Sequence, residues 1–517
     1  MTKNRLVAAT LLCTAGALIV AGQTPDDQAG VQPLARGPIH EAFARPFEAD
    51  VRPGPIVPKQ PPNPIEEVPP DQQPGGDNVV WIPGYWAWDD ERADFIWVSG
   101  CWRDVPPNQA WVPGYWAQAD GGCQWVPGFW TSSQETEEEF LPPPPASVDE
   151  GPSTPAPDAQ SVYIPGVWVY RQNQYAWRPG FWLPWQQGWV FNPARYFWTP
   201  AGYVFSEGFW DYPLAQRGLP FAPMQFTQPL WNQPGWAYQP NSAIVPSLLS
   251  SALFVRPLVD SYYFGNYFEP RYAQAGFVPW LDHHIARNVP DPLVSHYRGQ
   301  HDVNEFRRQY AQRRAGTSSQ QLDLVAPLTK VAGQVSLHQV SPAQRDEQRR
   351  HATAVRAAAT QRHQADTHAV KKAAQAGAPA RVKAALPRVA PARPTTVPAA
   401  AIRRAPPAHP TLPPHVARPA PARAPLAPHR FEARAALHPA AVPGEKATPK
   451  PKVESKVAPH PKVEVKPPAV HPKPAPKTEE KAKPAPRPVS SSGAGFYQSG
   501  QIYLLSRSSG SDRLCAS

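Results

Sequence analysis

Beyond its first 22 residues the sequence has no apolar stretch long enough to cross a membrane, which excludes later transmembrane helices. It also has no phosphate loop, no nucleophile elbow and no paired catalytic carboxylates, so the enzyme classes built on those motifs are excluded. The sequence implies no cofactor. Charge is sparse: 18% of residues are charged, against 72 prolines in 517 residues and a mean hydropathy of −0.48. Such a chain cannot bury a core along its whole length, and the proline excess reads as linker and low complexity. Cysteine is limited to four residues, of which only Cys101 and Cys123 lie away from the two ends.

What the sequence does have is tryptophan. All 19 lie between Trp81 and Trp280, so the packing capacity lies there. The charge is polarised: residues 341–490 carry +19, counted along the chain, and with +10 overall the remainder carries −9.

The first residues, MTKNRLVAATLLCTAGALIVAGQ, place Lys3 and Arg5 ahead of an apolar run ending in Val20-Ala21-Gly22. This predicts a signal peptide over 1–22 and an exported protein of the periplasm, cell envelope or extracellular space. An uncleaved membrane anchor is the rival reading, since the run is near the lower limit for a span. Lipid modification of Cys13 fits less well, because Leu12 stands where a small residue is wanted.

Residues 23–78 are rich in Pro and Gln without sustained periodicity and read as disordered. Aromatic repeats fill 79–132 and, less regularly, 161–212, with an acidic proline-rich linker over 133–160. Residues 213–315 mix aromatic runs with prolines and suggest short strands and loops packed on the second block. Within them, Asp302 and Glu305 in capping-box spacing predict a short helix from Val303 to Arg313. Residues 316–376 are polar, and 342–376 lack a continuous apolar stripe, predicting a solvated helix or frayed coil. The basic Pro/Ala/Lys tail over 377–490 reads as disordered and polyproline-II-like, and 491–517 as a disordered terminus.

In WVPGYWAQADGGCQWVPGFW, Trp116 and Trp125 are nine apart around Asp120-Gly121, the preferred dipeptide of a type I′ hairpin. Counting outward sets Ala119 opposite Gly122, Gln118 opposite Cys123, Ala117 opposite Gln124 and Trp116 opposite Trp125. Trp168 and Trp177 repeat the spacing around Gln172-Asn173, with Tyr170 facing Tyr175. Trp102 and Trp111 keep it around Pro106-Pro107, while Trp86 and Trp97, eleven apart, preserve strand phase. The shorter Trp-x-x-Gly-x-Trp gap has Pro-Gly at most centres, matching a type II turn with glycine at positive φ. If both turns reverse the chain, each block is a meander. Trp81, Trp86, Trp97, Trp102, Trp111, Trp116, Trp125 and Trp130 then line one face. The predicted fold is mainly β: a short-stranded antiparallel aromatic repeat meander with a short helix, flanked by long disordered proline-rich segments.

These units, WIPGYW, WVSGCW, WVPGYW, WVPGFW and WRPGFW, with YIPGVW carrying Tyr163 in place of the first tryptophan, resemble the WXXGXW (YXWGXW) repeat of secreted and envelope proteins. The resemblance implies an exported repeat protein and brings no catalytic residues with it. After Trp182 the pattern loosens, and Phe191, Tyr196, Trp198 and Tyr203 only approximate it.

Asp282, His283, His284, His296, His301 and Asp302 invite a metal site, but their spacing matches no ligand motif, so they read as loop residues and no metal is expected. On a flat meander Cys101 and Cys123 point to opposite faces, about 14 Å apart at ~4.8 Å per strand, beyond disulfide reach. The aromatic face is read as packing against other segments or a partner protein; an exposed row would stack on polysaccharide instead. The basic tail suits anionic envelope or matrix polymers without sequence-specific nucleic-acid recognition, and a solvated spacer is the competing reading. Membrane contact is expected only if the first segment stays uncleaved. The functional expectation is a non-enzymatic exported structural or interaction protein of the cell envelope or extracellular matrix. The alternative is a carbohydrate-binding module that uses the tryptophan face.

Overall fold

The computed structural model describes residues 30–286, 293–294, 303–315, 324–376, 382–387 and 406–416, all in one compact unit of the chain. The signal segment 1–22, His296, His301 and Asp302, most of 377–490 and the terminus 491–517 lie outside the described residues. Strands dominate, in short antiparallel pairs.

Each repeat is one long hairpin with a kink in both arms. In the first, Tyr85–Asp89 pairs with Asp94–Val98, setting Trp86 opposite Trp97. The outer strands Val79–Ile82 and Cys101–Asp104 then pair with each other, setting Trp81 opposite Trp102. The second hairpin repeats this with Trp116 opposite Trp125 and Trp111 opposite Trp130. In the third, Trp168 faces Trp177 and Tyr163 faces Trp182. A full fourth hairpin follows, with Tyr196 facing Phe205 and Phe191 facing Trp210, where the sequence pattern had loosened. The facing rings meet mostly edge to face, with centroids 5.1–5.5 Å apart in the tryptophan pairs. Each such pair contributes roughly 0.5–1.5 kcal/mol beyond area burial.

The tight-turn registers hold residue by residue, including Ala119 opposite Gly122 and Tyr170 opposite Tyr175. Gln172 and Asn173 both take positive φ, 50° and 62°, as a type I′ turn requires. At Asp120-Gly121 only the glycine does, at 89°, which is the sign pattern of a type II turn and not the expected I′.

The Pro-Gly pairs, in contrast, do not reverse the chain. Pro83-Gly84 in one arm lies across from Ser99-Gly100 in the other, so both arms bend together and continue. Gly84, Gly100, Gly114, Gly128, Gly166 and Gly180 all lie outside the positive-φ region, so the expected type II turns are absent. The expected Trp102/Trp111 pairing is absent too, because Cys101–Asp104 is flanked by Val79–Ile82 and by Gly218–Pro220. The meander is therefore a set of nested hairpins. The single row of eight indoles divides among separate cores: Trp81 and Trp102 in one, Trp86, Trp97 and Trp116 with Trp125 against them in a second, Trp111 and Trp130 in a third.

Parts of the segments that read as disordered or as linker are ordered. Residues 30–78 add strands to the hairpins: Val31–Pro33 reaches the first through Met224–Phe226, and Ile56–Val57 pairs with the second. They are proline-rich because edge strands and extended cover need few backbone donors. Within the 133–160 linker, Glu137–Phe140 pairs with Val382–Ala385 of the tail. Residues 213–315 do not pack mainly on the second block: Leu253, Phe254, Tyr262, Trp280 and Tyr310 share a core with Ile39, Phe43, Val80, Trp111 and Trp130. The short helix forms as expected, Val303–Arg314.

Pro342–Ala376 is one helix of 35 residues, and it is docked, not solvated. Gln348, Ala352, Val355, Ala359, Arg362, Asp366 and Ala369 are all buried, at alternating spacings of four and three. That stripe runs down one helix face. It escaped a hydrophobicity reading because three of its members are polar and three are alanine. Among the described residues no helix is long and apolar enough to cross a membrane.

Cys101 and Cys123 form no disulfide and are buried in different cores. The flat-meander spacing does not apply to them, since they belong to different hairpins.

Candidate functional site

The predicted face is not an open platform. Trp81, Trp86, Trp97, Trp102, Trp111, Trp116 and Trp130 are buried, and Trp125 is partly so. What three of the four hairpins do present is a cup at the kink, made by one or two glycine N–H groups with an indole N–H or a tyrosine hydroxyl beside them.

In the first hairpin Glu67 fills it. One carboxylate oxygen accepts from Gly84 N at 2.5 Å; the other accepts from Gly100 N at 3.0 Å and from Trp97 Nε1 at 3.1 Å. In the second, Glu41 accepts from Gly128 N at 2.9 Å and Trp125 Nε1 at 3.3 Å, and Arg45 pairs with it at 3.2 Å. In the third, Asp149 accepts from Gly166 N and from the Tyr163 hydroxyl. Three repeats thus each hold one carboxylate supplied by a segment outside the repeat. Burial pushes the Glu67 carboxyl up to about 7 against these donors and raises Glu41 as well, with Arg45 opposing. Burial also takes the nearby His40 imidazole down to about 4, so it stays neutral while its Nε2 bonds the Pro83 carbonyl at 3.0 Å.

The kink glycine is required by contact, not conformation. A Cβ at Gly114 would lie 2.5 Å from Trp125 Cζ2 and 2.7 Å from the Val126 carbonyl oxygen; at Gly128 it would lie 2.5 Å from Trp111 Cζ2. The facing indole sits directly on the glycine.

Indole edges carry the second recurring feature. Trp86 donates to the Asn63 carbonyl at 2.9 Å, Trp168 to Ala146 at 2.9 Å, Trp182 to Thr154 at 3.1 Å and Trp210 to Ala408 at 3.3 Å. Each acceptor lies in a proline-rich stretch: QPPNP, LPPPPA, GPSTPAP and PPAHP. Extended proline-rich backbone leaves its carbonyls unpaired and free to accept.

Two buried ionic clusters tie the hairpins together. Arg103 of the first hairpin makes a bidentate pair with Asp211 of the fourth at 2.6 and 2.7 Å, and Arg217 joins at 3.1 Å. Where the long helix crosses the second hairpin, Arg362 donates to the Pro113 and Pro127 carbonyls at 3.0 and 2.8 Å, and Asp366 accepts from the Tyr115 hydroxyl. Glu138 faces Asp366 there. Burial raises both carboxyls; Arg362 opposes this, and the mutual repulsion of the pair adds to the rise in Glu138. Two facing buried carboxylates do not both ionise readily, so the pair favours keeping a proton.

That proton sets a pH dependence. Folded-state values above the unfolded ones mean the native protein binds more protons, so this stabilisation is complete below about pH 4 and declines as pH rises through the raised values. Glu138→Gln should flatten the fall in thermal midpoint from mildly acidic pH up to about pH 8. An unchanged slope in that variant would exclude the pair as its source.

Of the histidine group, His283 Nε2 contacts Glu48 Oε1 at 2.7 Å, and His284 is buried beside it. Both sit on the helix Trp280–Ala286, not in a loop. Among the described residues no group of three or more His, Cys, Asp and Glu side chains is placed to hold a metal ion. Sequence reasoning missed Glu41, Glu67 and Asp149. Their only linear signal is an acid in a proline-flanked segment.

The WXXGXW repeat (2 copies) family model matches residues 76–103, 107–131, 162–182 and 187–211. No curated protein and no solved structure matches the chain. Each matched stretch is one kinked hairpin with a motif, or its approximation, in each arm: WIPGYW with WVSGCW, WVPGYW with WVPGFW, YIPGVW with WRPGFW, FNPARY with FSEGFW. Residues 76–211 of this chain therefore carry WXXGXW repeats.

Proposed function

We propose that the protein is a non-enzymatic, exported structural or interaction protein of the cell envelope or extracellular matrix. The repeats serve as scaffold, and the basic tail contacts anionic polymers. The observation that carries the scaffold reading is that the repeats' recognition groups are spent inside the molecule: carboxylates fill the kinks and proline-rich segments cover the indole edges. A glycan-stacking function needs open indoles, and the burial of seven of the eight speaks against it. Residues 377–490 carry +15, counted along the chain, which supports attraction to polyanions without sequence selectivity.

Fractionation of cells producing the full-length protein tests this. It should stay with the envelope or matrix fraction at about 0.1 M salt and be released at about 1 M, where screening is short-ranged. Recovery in the cytosol, or retention indifferent to salt, would contradict the proposal.

A further inference from the structure

Residues 406–416, PPAHPTLPPHV, contact the third and fourth hairpins, which lie far from them in the sequence. Their contacts are specific. Trp210 Nε1 donates to the Ala408 carbonyl at 3.3 Å, and His409 Nε2 bonds the Gly208 carbonyl at 3.0 Å. The His409 ring meets Phe191 edge-on at 6.0 Å. At the other end Val416 and Trp177 exchange backbone hydrogen bonds, Val416 N to Trp177 O at 2.8 Å and Trp177 N to Val416 O at 3.2 Å.

Pro407, Pro410 and Pro413 are all partly buried, together with Leu412 and His415, whereas Pro406, Ala408, His409, Thr411, Pro414 and Val416 are exposed. With three residues per turn, prolines at i, i+3 and i+6 share one edge of a polyproline-II rod. The sequence P-x-x-P-x-x-P over Pro407, Pro410 and Pro413 supplies that edge, and an aromatic wall with an indole N–H supplies what such rods dock against. The receiving groups, Phe191, Gly208, Trp210 and the Trp177 backbone, come from two different hairpins, so the site exists only when both are in place.

We propose that the third and fourth hairpins form a recognition site for extended proline-rich peptides of P-x-x-P-x-x-P spacing. Residues 406–416 occupy it in cis, and the same segment of a second copy takes it when the cis segment is displaced. The site does not depend on export or on polyanion binding. A cis occupant at an effective concentration of about 1 mM competes with any added peptide, so the unmodified chain is masked.

The test uses the full chain carrying Pro407→Ala, Pro410→Ala and Pro413→Ala, which removes the cis ligand's buried edge and leaves the hairpins unchanged. A fluorescent peptide of residues 404–418 is then titrated by anisotropy into this variant and into the unmodified protein. Binding to the variant should be at least about tenfold tighter than to the unmodified chain. The same peptide with Val416→Pro, which lacks the N–H donated to Trp177, should bind the variant about fivefold more weakly. No binding to the variant at 1 mM peptide, equal binding to both chains, or equal binding of a scrambled peptide would overturn the proposal. Circular dichroism of the variant separates loss of the site from loss of the fold.

Discussion

Replacing Gly84 or Gly100 with alanine is expected to destabilise the protein by about 3 kcal/mol in either case, read as a lower urea midpoint. A Cβ at Gly100 would lie 2.5 Å from the Ile82 carbonyl oxygen and 2.6 Å from Trp81 Cζ2. At Gly84 it would lie 2.7 Å from Trp97 Nε1, with the Val98 carbonyl also in the way. Neither neighbour can yield: one is paired backbone, the other a buried indole in a filled core. The added methyl would also disturb the N–H groups that hold Glu67, leaving a buried carboxylate with poorer donors. Gly121→Ala is the control. It has no heavy atom within 4 Å of a built Cβ, and only its φ of 89° opposes the change, at about 1 kcal/mol. If Gly121→Ala proved as damaging as Gly100→Ala, the close approach would not be what selects the motif glycine.

The second large effect is expected at Arg103. Its guanidinium is fully buried and bonds both Asp211 oxygens, the Ala42 carbonyl at 2.9 Å and the Asp104 carbonyl at 2.6 Å, over the Trp130 ring. Arg103→Met keeps most of the volume and removes every donor. The loss should be about 3–5 kcal/mol, since the Asp211 carboxylate then keeps only Arg217 as a cationic partner. Combining it with Asp211→Leu should cost less than the two single changes summed, because the double variant no longer buries a half-paired charge. Strict additivity would mean that the pair is not coupled, and that the first and fourth hairpins are joined by packing alone.

The sequence made the tight turns legible, because a two-residue loop and period-two alternation fix the register once a turn centre is found. That is why Trp116/Trp125 and Trp168/Trp177 could be paired by counting. The Pro-Gly kinks could not be read the same way. Pro-Gly is the composition of a type II turn, and what prevents reversal here is an indole seated on the glycine and a carboxylate arriving from 17 or 87 residues away. Long-range plugs of that kind leave no local pattern. The proline-rich segments were misread for a related reason: without a partner such a segment cannot bury enough surface to fold, and the partner is the aromatic edge of distant hairpins. The long helix is different, since its stripe at spacings of four and three was present in the sequence. Arg362 and Asp366 concealed it, because a buried ion on a docked face counts as polar in any hydropathy window. Of the candidate site, the eight tryptophans were legible as repeat residues, with packing or partner contact as the favoured reading, while the carboxylates that complete the cups were not.

The central claim is that the motif bends a continuing hairpin and does not turn the chain back. Cross-strand nuclear Overhauser contacts in the full-length protein, deuterated except at tryptophan, test it most directly. Backbone protons of Trp81 should contact those of Trp102, and those of Trp111 should contact Trp130, as the nested register requires. Contacts between Trp81 and Trp86, or between Trp102 and Trp111, in their place would restore the meander and contradict the kinked hairpin.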